Sequence, residues 1–341
     1  IKSTQRAKIC LPNSSILEST IEAIFLTRDL INTPAEDMGP VNLARAAGAL
    51  AKKHNAKINI ILGENLLKNN YPTIHAVGRA IKAPKQTPRF IDFKWGKLNH
   101  PKLTLVGKGV CFDTGGLDIK TAGGMKLMKK DMGGAANVLG LAHMIMSAKL
   151  PVQLRVLIPA VENNISGNAL RPLDVIVSRC GKTIEIGNTD AEGRVILADA
   201  LTEACSDSPD LIIDFATLTG AARVALGTEL PALFTNDDKI AKTITNVGIT
   251  EQDPLWRLPL WDGYQEMIKG LTADLTNSPE GGYGGAITAA LFLQEFVKPK
   301  IKWAHIDLMA WNLSAKPGRP RGGEAMAIRS IFTALKNNSL I

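Results

Sequence analysis

At 341 residues, with 45% hydrophobic residues and a formal net charge of +8, the chain is long enough to bury a sizeable core and reads as one large domain or two unequal ones. It contains no run of about 18 apolar residues and no apolar leader core near its N-terminus, so a globular, cytoplasmic protein with no membrane partner is expected. The basic residues are scattered in short groups such as Lys52-Lys53, Lys129-Lys130 and Lys298-Lys300-Lys302, which argues against a dedicated nucleic-acid surface. Cys10, Cys111, Cys180 and Cys205 lack CxxC or CxxH spacing and read as reduced thiols.

In chain order, residues 15–31 carry apolar side chains at helical spacing until Asn32-Thr33-Pro34 stops them. Pro40 opens a second helix to about His54, and 56–63, 75–80 and 89–95 read as strands. The run Leu103, Leu105, Val106, Val110 reads as a buried strand that dissolves into glycines around Lys108, Asp113 and Lys120. A helix is expected from about Asp131 to Ala148, a strand over 152–161 and a hairpin over 174–187 turning at Gly181-Lys182. In GNTDAEGR at 187–194, an extended backbone would aim Asp190, Glu192 and Arg194 the same way before a helix from Gly193 to Cys205. A strand over 211–220, a loop-rich stretch, a helix over 284–297, a strand over 302–311 and a closing helix over 324–338 follow. This alternation predicts an α/β fold with a mixed, largely parallel sheet sandwiched between helices.

Lys108, Asp113, Lys120, Asp131, Asp190, Glu192 and Arg194 fall in the glycine-rich segments, where backbone must come close to a ligand. Four carboxylates in one pocket would repel, and two divalent cations are the simplest remedy. The five histidines show no HExxH spacing, so the ligands would be mainly oxygen. Each residue alone also has a local reading: Asp113 as a turn cap, Asp131 as a helix cap, and Asp190 with Arg194 as a surface ion pair.

VGKG at 106–109, FDTGG at 112–116, DIK at 118–120, KKDMGGAA at 129–136 and NTDAEGR at 188–194 together resemble the leucine aminopeptidase (cytosol aminopeptidase) family of dimetal exopeptidases. Further similarity lies in RDLINTPAEDMGP (28–40), ATLTGA (216–221), LWRLPLWDGY (255–264) and GGAITAALFL (284–293). The resemblance implies that 1–31 is the connecting segment after a missing N-terminal domain, and that 32–341 is a dimetal catalytic domain. It implies zinc or manganese ions, one held by Lys108, Asp113, Asp131 and Glu192, the other by Asp113, Asp190 and Glu192 with a carbonyl of Asp190. A lysine serves as a ligand only as a neutral amine, against an ordinary pKa of about 10.4.

By the same resemblance Lys120 would stabilise the oxyanion and Arg194 would hold a bicarbonate that relays a proton. Asp131 would bind the α-amine of a peptide substrate, and backbone near Thr217 and Leu218 would hold the peptide. Met128, Thr217, Gly220 and Met309 would line the pocket for a leucine-like first side chain. Met309 stands where many relatives have a small residue; either it shortens the pocket or it turns into the core. A homohexamer is implied, and an additional DNA-binding, regulatory role remains as an alternative use of the same scaffold.

Overall fold

The structure, a computed structural model, describes residues 15–81 and 83–341; Cys10 and the first 14 residues of the expected connecting segment lie outside them. Its frame is a nine-stranded sheet in the order Lys57–Leu62, Arg89–Trp95, Gln153–Asn163, Lys102–Gly107, Leu211–Ala216, Lys302–Asp307, Ala232–Thr235, Trp256–Arg257, with Gly109–Asp113 pairing the far end of Gln153–Asn163. Lys102–Gly107 lies parallel to both of its neighbours, Leu103 facing Leu154 on one side and Leu211 on the other. Lys302–Asp307 continues the parallel run, while the first two strands and Ala232–Thr235 join antiparallel. Strands in such a centre are covered on both faces and so read as unbroken apolar runs; all six residues of Leu211–Ala216 are buried.

Helices cover the two faces around separate cores. Ser15–Asn32, Pro40–Lys53, Gly133–Ser147, Asp238–Thr250 and Ile328–Lys336 pack on one face, and Pro72–Gly78, Glu192–Ala204 and Gly285–Gln294 on the other. Gly133–Ser147 lies hard against the sheet: a Cβ on Gly134 would stand 2.1 Å from the Phe215 carbonyl oxygen. The helix Ser15–Asn32 closes on its far side, where a Cβ on Gly140 would meet Thr27 Oγ1 at 2.3 Å. Among the described residues no helix is long and apolar enough to cross a membrane, and Cys111, Cys180 and Cys205 are free thiols.

Several local expectations change. Residues 75–80 are not a strand; Pro72–Gly78 is a helix, started by Pro72 and fixed where Asp199 Oδ2 accepts the Thr73 N–H at 2.8 Å. The supposed loop-rich stretch contains the strand Ala232–Thr235 and the helix Asp238–Thr250, whose N-cap Asp237 accepts the Ile240 N–H at 2.9 Å. Asp190, Glu192 and Arg194 do not share an extended run, because the helix begins at Glu192. Asp131 belongs to a 3-10 turn, Met128–Met132, that precedes the helix. The strands at 211 and 302 end at Ala216 and Asp307, and together with Gly107 these ends bring Lys108, Thr217 and Asp307 to one carboxyl edge, where open α/β sheets bind ligands.

Candidate metal centre

Lys108 leaves the sheet edge with its backbone locked, its N–H donating to Phe215 O and its carbonyl accepting from Ala135 N, both at 2.9 Å. Its side chain passes over Gly193, where a Cβ would lie 2.6 Å from Lys108 Cε. The buried Nζ stands 2.8 Å from Asp131 Oδ2 and 3.0 Å from Glu192 Oε1, and donates to Thr217 O at 3.0 Å. Asp113 ends its strand with Oδ1 accepting from Gly115 N (2.8 Å) and Asn163 Nδ2 (2.9 Å), and Oδ2 2.8 Å from Lys120 Nζ. Lys120 also contacts Asp190 Oδ1 closely, and Thr217 Oγ1 donates to Asp131 Oδ1 at 2.7 Å.

Asp113, Asp190 and Glu192 each bring one carboxylate oxygen to within 4.8 Å of the others. Such crowding shows in their protonation. Burial, then the neighbouring Asp113, pushes Asp190 up to about 6 and Glu192 well above the ordinary carboxylate range. Burial alone would lower Lys108, but Asp131, Glu192 and Asp113 hold it above its ordinary value. Both Glu192 oxygens and Asp131 Oδ2 are buried without a hydrogen-bond partner. Two of these atoms lie within ion-pair distance of Lys108 Nζ, yet outside hydrogen-bond geometry, so the contact leaves their lone pairs unsatisfied. This donor set fits divalent cations: acidic oxygens in excess, one amine, and unpaired lone pairs turned inward.

Above the carboxylates opens a cavity of about 350 Å³. Lys108, Asp113, Lys120, Asp131, Asp190 and Arg194 line it, and Glu192 lies beneath, 1% exposed. Arg194 is buried with Nε and Nη1 unpartnered; burial lowers it to about 10, against the pull of Asp307 and Glu192. Met128, Thr217, Leu218 and Gly220 also line the cavity. Met309 does not. It is half-buried and packs against the larger core, because the strand ends at Asp307 and Ala310, at φ +56°, turns the chain away from the alternation that would have aimed Met309 with Asp307. Met309→Ala is therefore expected to leave the ratio of kcat/KM for leucyl and phenylalanyl amides within about twofold of wild type.

Four further residues shape the site. Asp307 accepts the N–H groups of Leu218 (3.0 Å) and Thr219 (3.1 Å) and the Thr219 hydroxyl (2.6 Å), fixing the loop that faces the cavity. Asn277 Oδ1 accepts the N–H groups of Gly187 and Asn188 and so holds the segment leading to Asp190. Lys130 and Arg223 add cations to the lining. A carboxylate at a strand's carboxyl end is the signal that marked Asp113, and Asp307 carries it too; nothing local in the sequence singles out the others.

The fold and the centre define an α/β protein with a buried carboxylate cluster at the carboxyl edge of its sheet. The profile of the cytosol aminopeptidase family's catalytic domain matches residues 25–332, so the chain belongs to that family. It is 43% identical over 317 residues to a probable cytosol aminopeptidase of Syntrophotalea carbinolica, covering 92% of this chain and 63% of that protein. The chain thus spans less than two thirds of this relative's length. The crystal structure of the cytosol aminopeptidase from Coxiella burnetii superposes with a TM-score of 0.92 at 58% identity, covering 95% of this chain and 70% of that one. The bottromycin maturation enzyme BotP in complex with Mn gives 0.89 at 37% identity, covering 94% and 71%.

Proposed function

We propose that this chain carries the catalytic centre of a dimetal aminopeptidase that hydrolyses the N-terminal residue, with leucine-like residues preferred, from peptides. The observation that carries the proposal is the convergence of Asp113, Asp190 and Glu192 within 4.8 Å, with both Glu192 oxygens buried and without a hydrogen-bond partner. One divalent ion, zinc or manganese, would be held by Lys108, Asp113, Asp131 and Glu192, and a second by Asp113, Glu192 and Asp190, the last through its carboxylate and carbonyl. When bound, the pair would supply Lewis acidity toward the scissile carbonyl and lower the pKa of the attacking water.

The chain's own groups do the rest. Lys108 must give up its proton to become a ligand, and its buried position, 3% exposed, favours the neutral amine once a cation offsets the neighbouring carboxylates. Asp131, oriented by Thr217, would accept the substrate's α-ammonium, restricting cleavage to the first residue. The loop Thr217–Gly220, tied down by Asp307, would align the peptide backbone, and Met128 would face its first side chain. Lys120 Nζ would hold the developing oxyanion. The unpaired guanidinium edge of Arg194 suits a planar bicarbonate, which would supply the proton relay.

The test is release of the N-terminal residue from leucine amide. Activity is expected with added Mn²⁺ or Zn²⁺ and should vanish on chelation; full activity after exhaustive chelation would overturn the reading. Family resemblance extends the proposal to a cytoplasmic homohexamer in which residues 1–31 connect to a preceding domain. Light scattering of the full-length protein should give a hexamer, and a monomer would contradict that assembly.

A further inference from the structure

Lys129 and Lys130 look alike in sequence and differ in place. Lys129 is half-exposed, its ammonium 5.5 Å from the centre of the Trp311 ring. Lys130, in the turn Met128–Met132, is 2% exposed and ranks among the largest fully buried side chains, yet it lines the cavity. Its ammonium makes no hydrogen bond or ion pair among the described residues. Of the carboxylates around it, Asp131 and Glu192 stand against Lys108, Asp113 and Asp190 against Lys120, and Asp307 accepts from Leu218 and Thr219. Arg223, on the short helix Gly220–Leu226, lines the same cavity, with Nη2 3.6 Å from where a Cβ on Gly220 would lie. Its guanidinium also pairs with no carboxylate among the described residues.

An ammonium that ends a side chain only 2% exposed, meeting water only at the cavity and without a protein partner, keeps little hydration, and an apolar side chain of similar length would fill the same space without that cost. Two unneutralised cations on one cavity wall are therefore explained most directly by an anion that arrives with the ligand. We propose that Lys130, with Arg223 beside it, forms a specificity-determining subsite for a carboxylate carried by the substrate. That carboxylate belongs either to the side chain of an acidic first residue or to the free C-terminus of a short peptide. The proposal rests on the aminopeptidase reading and goes beyond it by assigning a charge preference to the cavity. Lys130 would contribute a charge-assisted hydrogen bond and its stem an apolar wall, so that aliphatic first residues are still accommodated.

The experiment compares kcat/KM, with Mn²⁺ present, for glutamyl and glutaminyl anilides, leucyl anilide, Leu-Gly and Leu-Gly amide. It uses wild type, Lys130→Met and Lys130→Arg. Each readout is a ratio within one enzyme, so a general loss of activity cancels. For the wild type, either glutamyl over glutaminyl or Leu-Gly over Leu-Gly amide is expected to stand at about tenfold or more, the size of one charge-assisted hydrogen bond. Lys130→Met should bring that ratio to about one, and Lys130→Arg should restore most of it. Collapse of the first ratio assigns the side-chain carboxylate, and collapse of the second the terminal one. Release from leucyl anilide with both ratios insensitive to Lys130→Met would overturn the subsite alone. No release from any of the substrates by the wild type would overturn the aminopeptidase reading itself.

Discussion

Asp113→Ala is expected to abolish high-affinity metal binding and to lower kcat/KM by about 10³-fold or more, roughly 4 kcal/mol of transition-state stabilisation. Asp113 is the proposed bridge: one oxygen faces Lys120 at 2.8 Å, and its negative charge is the strongest neighbouring influence raising both Asp190 and Glu192. The same substitution should affect stability differently with and without metal. Without metal, removing one of the crowded carboxylates relieves repulsion and offsets the lost hydrogen bonds from Gly115 N and Asn163 Nδ2, so Tm should change little. With metal at about 100 times its dissociation constant, wild type should gain about 2.7 kcal/mol that the variant does not. A variant that gained as much from Mn²⁺ as the wild type would remove Asp113 from the centre.

Lys120→Ala and Arg194→Ala should separate chemistry from metal binding. Neither side chain belongs to the proposed ligand set, so both variants should keep two metals and fold normally. Lys120→Ala is expected to lower kcat by about 10²–10³-fold, as loss of an oxyanion donor does. Arg194→Ala should lower it by about 10²-fold, as loss of proton-transfer assistance does. A second readout distinguishes the two: wild type and Lys120→Ala should accelerate with added bicarbonate, and Arg194→Ala should not. The buried Nε and Nη1 of Arg194 lack partners, so truncating that side chain removes a desolvated charge and should not lower stability much. Metal loss in either variant would contradict the division between ligands and catalytic groups.

Most of the centre was readable because its parts lie in contiguous motifs at strand ends. Lys108 and Asp113 follow apolar runs that could only be buried strands, and Asp190, Glu192 and Arg194 sit at the start of a helix that the sequence placed within a residue or two. What escaped depends on tertiary placement. Residues 75–80 have the apolar content of a strand, but Asp199 from a distant helix supplies the acceptor that starts a helical turn at Thr73. Lys130 reads as half of a solvated pair until the turn Met128–Met132 carries it inward. Asp307 carries the strand-end carboxylate signal, but its work, holding the amides of Leu218 and Thr219 in a distant loop, depends on tertiary placement. Met309 misleads for a related reason: period-two alternation holds only while the strand lasts, and this one stops at Asp307.

Two cations held by one set of side chains define the proposed centre. Equilibrium dialysis of the metal-stripped protein against Mn²⁺, with bound metal counted per chain, tests it most directly. It should give two ions per chain for the wild type and fewer for Glu192→Ala, which removes the two buried oxygens that lack hydrogen-bond partners beside Asp113 and Asp190. A wild-type chain that binds none, or binds two with Glu192 removed, would contradict it.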